Sequence, residues 1–178
     1  MQVFSVCLIF VHPILQIGHL PPDLRFLGCS EDNGIICRTF AIAMRTYNDI
    51  QRPDFTPDYI TELKADEVFC FGSNLAGMHG GGAAYVAFRQ FGAVMGCGVG
   101  LRGQSYAIPT MQGGVETIEP YVTEFIAFAK AHPELFFYVT RIGCGIAGFR
   151  DKEIAPLFAN ALGMENICLP ETFVKVLK

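Results

Sequence analysis

From residue 53 onward the sequence alternates short apolar, β-rich runs with stretches of helical period, and this alternation restricts the possible folds more than any other feature. Glu67, Val68, Phe69, Cys70, Phe71 reads as a strand cut by Gly72, Ser73, Asn74; after a run of glycines, Ala83 to Phe91 reads as a helix packed closely through its alanines. Ser105 to Ile108 is a second strand, ended by Pro109. Ile118 to Ala131 then sets Tyr121, Val122, Phe125, Ile126 and Ala129 at the spacing of an amphipathic helix. Leu135 to Thr140 comes next as an aromatic strand, Asp151 to Leu162 as a helix stopped by Gly163, and Asn166 to Leu169 as a last strand. The order β, α, β, α, β, α, β predicts an α/β fold, a mostly parallel or mixed sheet with helices on both faces.

Sheets of this kind bind ligands beyond the carboxyl ends of their strands, where loops lead into helices. Two glycine-rich loops of this chain occupy that position, Gly72 to Gly82 and Gly143 to Phe149. Gly80, Gly81 and Gly82 stand directly before a helix, where bare backbone lets a ligand approach and several N–H groups point outward at the positive end. Gly143, Gly145 and Gly148 form a second such run, so the two loops together could clasp one diphosphate. Tight turns and close helix packing are the competing account of either loop alone; the pairing favours the anion cradle. Other phosphate motifs do not fit. No G-x-x-x-x-G-K-[ST] is present, and Gly96, Gly98, Gly100 and Gly103 precede a strand instead of the helix that a dinucleotide fingerprint needs.

Composition narrows the partners. With 178 residues, 51% hydrophobic and 17% charged, the chain is globular, and a net charge of -4 gives no overall positive field to gather nucleic acid or anionic lipid. No interleaved basic and aromatic stripe marks a nucleic-acid platform. The seven cysteines are scattered and contain no C-x-x-C pair, which argues against a zinc site and a secreted disulfide framework; a reducing cytoplasm is the expected compartment. Residues 1–20 are apolar, but no Lys or Arg precedes Val3 to Val11, and His12, Pro13 and His19 interrupt the apolar residues beyond that run, so neither a signal peptide nor a membrane span is expected. Leu27, Gly28, Cys29 lacks the basic start that a lipoprotein site needs. Turns are expected at Pro21 to Asp23 and at Glu31 to Gly34, with one short helix or strand over Ile35 to Met44. The Pro- and Asp-rich stretch Arg52 to Asp58 places the domain boundary near residue 53: residues 1–52 read as a poorly structured extension, or as codons before a true start such as Met44, and 53–178 as the folded domain.

Phe71, Gly72, Ser73, Asn74, the loop Gly80, Gly81, Gly82, Ala83, and the run Arg141 to Phe149 occur in an order and spacing that resembles a macro domain, the module that binds ADP-ribose. Residues 58–178 are similar to a divergent bacterial and phage-like branch of that family. The resemblance implies a three-layer α/β/α mixed sheet and a ligand that is ADP-ribose or an ADP-ribosylated macromolecule, with nucleic acid a partner only as an ADP-ribosylated substrate and with no metal or cofactor. By the same resemblance Asn74, after Ser73, would lie beside the distal ribose, and Gly80 to Gly82, with Ala83, would line that ribose and the second phosphate. Gly143, Cys144, Gly145, Ile146, Ala147 and Gly148 would wrap the diphosphate with backbone N–H groups, and Phe149 would pack on the sugar side. Asp58 falls within one residue of the family's acidic residue that accepts a hydrogen bond from the adenine amino group.

Two departures bear on catalysis. Where the deacetylating and de-ADP-ribosylating branches carry an acidic residue after the first loop, this chain has Ala83, Ala84, Tyr85; where another hydrolase branch carries Asp in the second loop, it has Ala147. An ADP-ribosyl hydrolase or ADP-ribose 1''-phosphatase activity would therefore fall to Asn74, orienting water, and to His79, the one imidazole inside a glycine loop. For His79 a capping or packing role is the alternative. Cys144 is a nucleophile only if its thiolate is favoured, and otherwise a small residue filling a turn. Arg102, Arg141 and Arg150 could add charge-assisted phosphate contacts. His132, at a helix end, is explained by the helix dipole. The alternative function is a protein or nucleic-acid interaction module on the same fold, without nucleotide.

Overall fold

The structure, a computed structural model, describes residues 44–178. The turns expected before residue 35, and the element expected over 35–44 apart from Met44, lie outside the described residues. The described chain opens with a hairpin, β1 (Met44–Tyr47) and β2 (Ile50–Pro53), whose two-residue turn holds Asn48 at φ 50° and Asp49 at φ 59°. Two consecutive left-handed residues are what the twist of a tight hairpin requires, and Asn and Asp accept that conformation more readily than most.

A five-stranded sheet comes next: β3 (Glu67–Ser73), β4 (Gly100–Arg102), β5 (Ser105–Pro109), β6 (Phe136–Val139) and β7 (Ile167–Cys168), in the order β4-β5-β3-β6-β7. β3 runs parallel to both β5 and β6, β6 is parallel to β7, and β4 is an antiparallel edge strand. Helices α1 (Gly82–Gln90), α2 (Glu119–Ala131), α3 (Asp151–Ile154) and α4 (Glu171–Leu177) complete the mixed α/β fold.

Side-chain alternation along β3 divides the core between two faces. Val68 and Cys70 join Val122, Phe125 and Ala129 of α2 and Phe173 of α4 in the larger cluster, whereas Phe69 and Phe71 pack on Ala84 and Ala87 of α1. A strand buried on both faces must be apolar almost throughout, which is why Glu67–Ser73 reads as a continuous run. The alanines of α1 let its backbone approach the sheet closely.

Three parts of the chain differ from the sequence reading. Residues 44–52, placed in the extension, belong to the folded unit: Arg52 is fully buried, ion-paired with Asp66 and Glu67, and its guanidinium lies 4.6 Å over the Phe136 ring. The Tyr138 hydroxyl donates to Glu67 Oε1 at 3.2 Å, and Arg45 Nη2 donates to the Ile167 carbonyl at 2.8 Å. Second, the helix expected over Asp151 to Leu162 is α-helical only to Ile154 and continues as a 3-10 helix, Ala155–Ala161. Pro156 has no N–H to donate back to the first turn, and the chain tightens there. Third, β4 and α4 were not anticipated.

Because β3, β5 and β6 are parallel, with Ser73 opposite Pro109 and Cys70 opposite Val139, their carboxyl ends finish along one edge. The loops that leave them emerge side by side.

Candidate functional site

A cavity of about 430 Å³ opens at that edge. Its floor is made where the three strands end: Gly72 and Ser73 closing β3 with Asn74 just after it, Thr110 and Met111 after β5, and Thr140 and Arg141 after β6. Its walls are the two glycine loops, and they meet. A Cβ built on Gly81 would lie 3.4 Å from Ile146 Cδ1, and one built on Gly72 would lie 3.3 Å from the Gly143 nitrogen.

On the first wall, α1 begins without a side-chain cap. Gly81 is extended, Gly82 takes φ 56°, a left-handed conformation suited to glycine, and the first helical bond runs from the Tyr85 N–H to the Gly81 carbonyl at 3.2 Å. The N–H groups of Gly82, Ala83 and Ala84 thus have no partner in the helix, and all three residues line the cavity. They bring the positive end of the helix dipole with them.

On the second wall, the N–H of Cys144 donates to the Arg141 carbonyl at 3.2 Å, that of Gly148 to Gly145 at 3.0 Å, and that of Phe149 to Gly143 at 3.0 Å. These bonds close the turn and leave the N–H groups of Gly145, Ile146 and Ala147, which line the cavity, without a partner among the described residues. Residues with unpartnered backbone donors therefore line one space from both sides.

Hydroxyls complete the floor. Thr140 Oγ1 donates to the Cys70 carbonyl at 2.9 Å and Thr110 Oγ1 lies 3.3 Å from the Ser73 carbonyl, each keeping its lone pairs for a ligand. The Asn74 amide staples its own loop: Nδ2 donates to the Met78 carbonyl at 2.9 Å, and Oδ1 accepts the Met78 N–H at 3.0 Å. One N–H and one lone pair of that amide remain.

Among the described residues the only ionisable side chain that lines the cavity is Arg141. Asp151 at the start of α3 holds it by two bonds, Nε to Oδ1 at 3.0 Å and Nη2 to Oδ2 at 2.8 Å. This hydrogen-bonded carboxylate raises the guanidinium pKa further, and the charge of Asp58 adds to the effect. Burial pulls the Asp151 carboxyl upward, but hydrogen bonds from Arg141 and Cys144 outweigh it and leave the group below its ordinary value. Three apolar side chains, Met78, Met111 and Ile146, stand at the cavity mouth with 63%, 53% and 76% of their surfaces exposed.

Of the residues expected at the site, the cavity gathers Ser73, Asn74, the loop Gly80 to Ala83, Gly143, and Gly145 to Ala147. Asp58, His79, Cys144, Gly148 and Phe149 do not line it. Asp58 is exposed and acts on the cavity only through its charge on Arg141. His79 is fully buried behind the first loop, its ring edge-on to Phe71 at 5.3 Å, so it touches nothing in the cavity; packing is the role its surroundings supply. Cys144 turns toward Asp151, and burial, followed by that carboxylate, pushes its thiol up to about 12, which keeps it protonated and unreactive at neutral pH. Phe149 packs against the larger core cluster, with its Cδ2 3.4 Å from where a Cβ on Gly143 would lie. Neither Arg102 nor Arg150 lines the cavity, and Arg150 pairs with Glu153.

Thr110, Met111, Thr140 and Met78 were missed. Thr110 and Thr140 each stand at the carboxyl end of a parallel strand, and knowing that β5 and β6 flank β3 would have singled them out. Among the described residues no group of three His, Cys, Asp or Glu side chains could hold a metal ion, and no helix is long and apolar enough to cross a membrane. Comparison with protein-family profiles, with curated proteins and with solved structures finds no match for this chain.

Proposed function

We propose that this protein binds ADP-ribose, free or attached to a macromolecule, and holds the diphosphate between its two glycine loops on a macro-domain-like three-layer scaffold. The observation that carries this reading is that two sets of residues whose N–H groups lack a partner among the described residues, Gly82 to Ala84 and Gly145 to Ala147, line one cavity. A diphosphate needs several donors at once, and fixed backbone N–H groups supply them without the entropy cost of ordering long side chains. Arg141 adds one charge-assisted contact. The volume lies in the usual range for small-molecule sites, and the apolar mouth formed by Met78, Met111 and Ile146 offers a surface to a flat base.

Binding is favoured over hydrolysis by the make-up of the cavity wall: among the described residues no carboxylate, imidazole or thiol lines it, so none of these side chains takes a proton from water there. Thermal unfolding with increasing ADP-ribose tests the proposal. Ligand at about a hundredfold excess over its dissociation constant raises stability by roughly 2.7 kcal/mol, a shift of several degrees, while ADP-ribose is not released from modified protein. No shift at millimolar ADP-ribose in a folded protein refutes the reading, and capture of a macromolecule that ADP-ribose fails to displace would favour an interaction module instead.

A further inference from the structure

His79 and the glycine-containing segment between α1 and β4 are two features of the sequence that ligand binding leaves unused, and they meet behind the first glycine loop. The His79 ring, though in a loop, is fully buried, with Nε2 3.1 Å from the Val94 carbonyl oxygen. Its backbone N–H donates to the Met95 thioether at 3.4 Å, and the Gly96 N–H donates to the Gly77 carbonyl at 3.0 Å. The two backbones touch: a Cβ on Gly98 would lie 1.9 Å from the Asn74 carbonyl oxygen, and one on Gly77 would lie 2.3 Å from the Cys97 nitrogen. Neither contact survives a side chain. The Val94 carbonyl can only accept, so that bond needs hydrogen on Nε2, and Nδ1, also buried, has no partner among the described residues.

We infer that His79 is a positioning residue: it pins the first glycine loop to the Val94–Gly98 segment and so fixes the direction in which Gly80, Gly81 and Gly82 present their N–H groups. Three consecutive glycines have wide conformational freedom, and a ligand that had to order them would lose affinity. The Asn74 amide closes the loop on one side of His79, and the glycines begin immediately on the other; the Tyr85 bond to the Gly81 carbonyl holds them from the helix, and the anchor at His79 holds them from the loop. The pin itself is independent of any ligand, whereas its consequence for affinity rests on the ADP-ribose reading.

The test is amide hydrogen exchange and backbone NMR on the full chain, with ADP-ribose affinity measured in parallel, for His79→Leu and His79→Gln. His79→Leu keeps apolar volume but loses the bond; the Gly96 amide then exchanges about tenfold faster or more, and the Gly80 to Gly82 resonances shift while those of Gly145 to Ala147 stay. ADP-ribose affinity falls about tenfold in the folded variant, and His79→Gln, whose amide nitrogen can reach the Val94 carbonyl, restores both readouts. Unchanged exchange in His79→Leu, or no restoration by His79→Gln, overturns the inference. A wild-type protein that ignores ADP-ribose defeats the functional reading alone, because the exchange data still decide the pin. If His79→Leu does not fold, Met95→Leu, which removes only the thioether acceptor, carries the test: faster exchange at the His79 amide with shifted Gly80 to Gly82 resonances supports the pin, and no change refutes it.

Discussion

At the scale of single residues, the site depends on groups that hold one another in a fixed charge state. Cys144 illustrates this. With its thiol pushed up to about 12 by burial and by Asp151, it is predicted to react slowly with iodoacetamide at pH 7.5, and Cys144→Ala should leave ADP-ribose affinity within about twofold. Rapid alkylation that ADP-ribose blocks would contradict that. Asp151 gives a pH dependence whose sign is set by its direction of shift. Its carboxyl is held below the ordinary value in the folded protein, so its contribution is complete above the unfolded value of about 3.9 and is lost as pH falls through the lower folded value. Stability measured between pH 5 and about pH 2 should therefore decline with an acid limb that Asp151→Asn flattens; an identical limb in the variant would remove Asp151 from the account. The same variant frees Arg141 from both of its bonds, and its ADP-ribose affinity at neutral pH should fall severalfold.

At the scale of elements, the hairpin is the part that sequence patterning concealed. Arg45, Thr46, Asn48, Gln51 and Arg52 look like a solvated linker, because burial of a cation is visible only once Asp66 and Glu67 are known to receive it. Asn48 and Asp49 between Tyr47 and Ile50 were the available turn signal. The buried pair makes a definite prediction. Arg52→Ala leaves Glu67 buried without a counter-charge and should cost about 3–5 kcal/mol in urea unfolding, part of which Glu67→Gln in the same chain recovers. A chain begun at residue 53 should be weakened in the same way. Wild-type-like midpoints in both would mean the hairpin merely rests on the sheet. The long elements were legible for the opposite reason: β3 and α2 bury continuous or periodic apolar surface, a pattern written in adjacent residues. The 3-10 stretch after α3 was misread because the periodicity persists through Pro156 while the hydrogen bonding changes. β4, with three residues, gains its strand character from its neighbour β5 and carries little signal of its own.

At the scale of the whole molecule, the order of strands converts two separate runs of glycine into one cavity. The runs and their position before helices could be read from the sequence; the hydroxyls of Thr110 and Thr140 could not, since their relevance depends on β5 and β6 lying on either side of β3. His79 misled for a related reason. An imidazole among glycines suggests chemistry until the Val94 segment is seen to enclose it. The claim on which all else depends is that both loops hold one diphosphate together, and a crystal structure of the protein with ADP-ribose tests it most directly. The account predicts diphosphate oxygens within hydrogen-bond distance of the N–H groups of Gly82 to Ala84 and of Gly145 to Ala147 in the same molecule. A ligand seated on one loop alone, or bound elsewhere on the sheet, would contradict it.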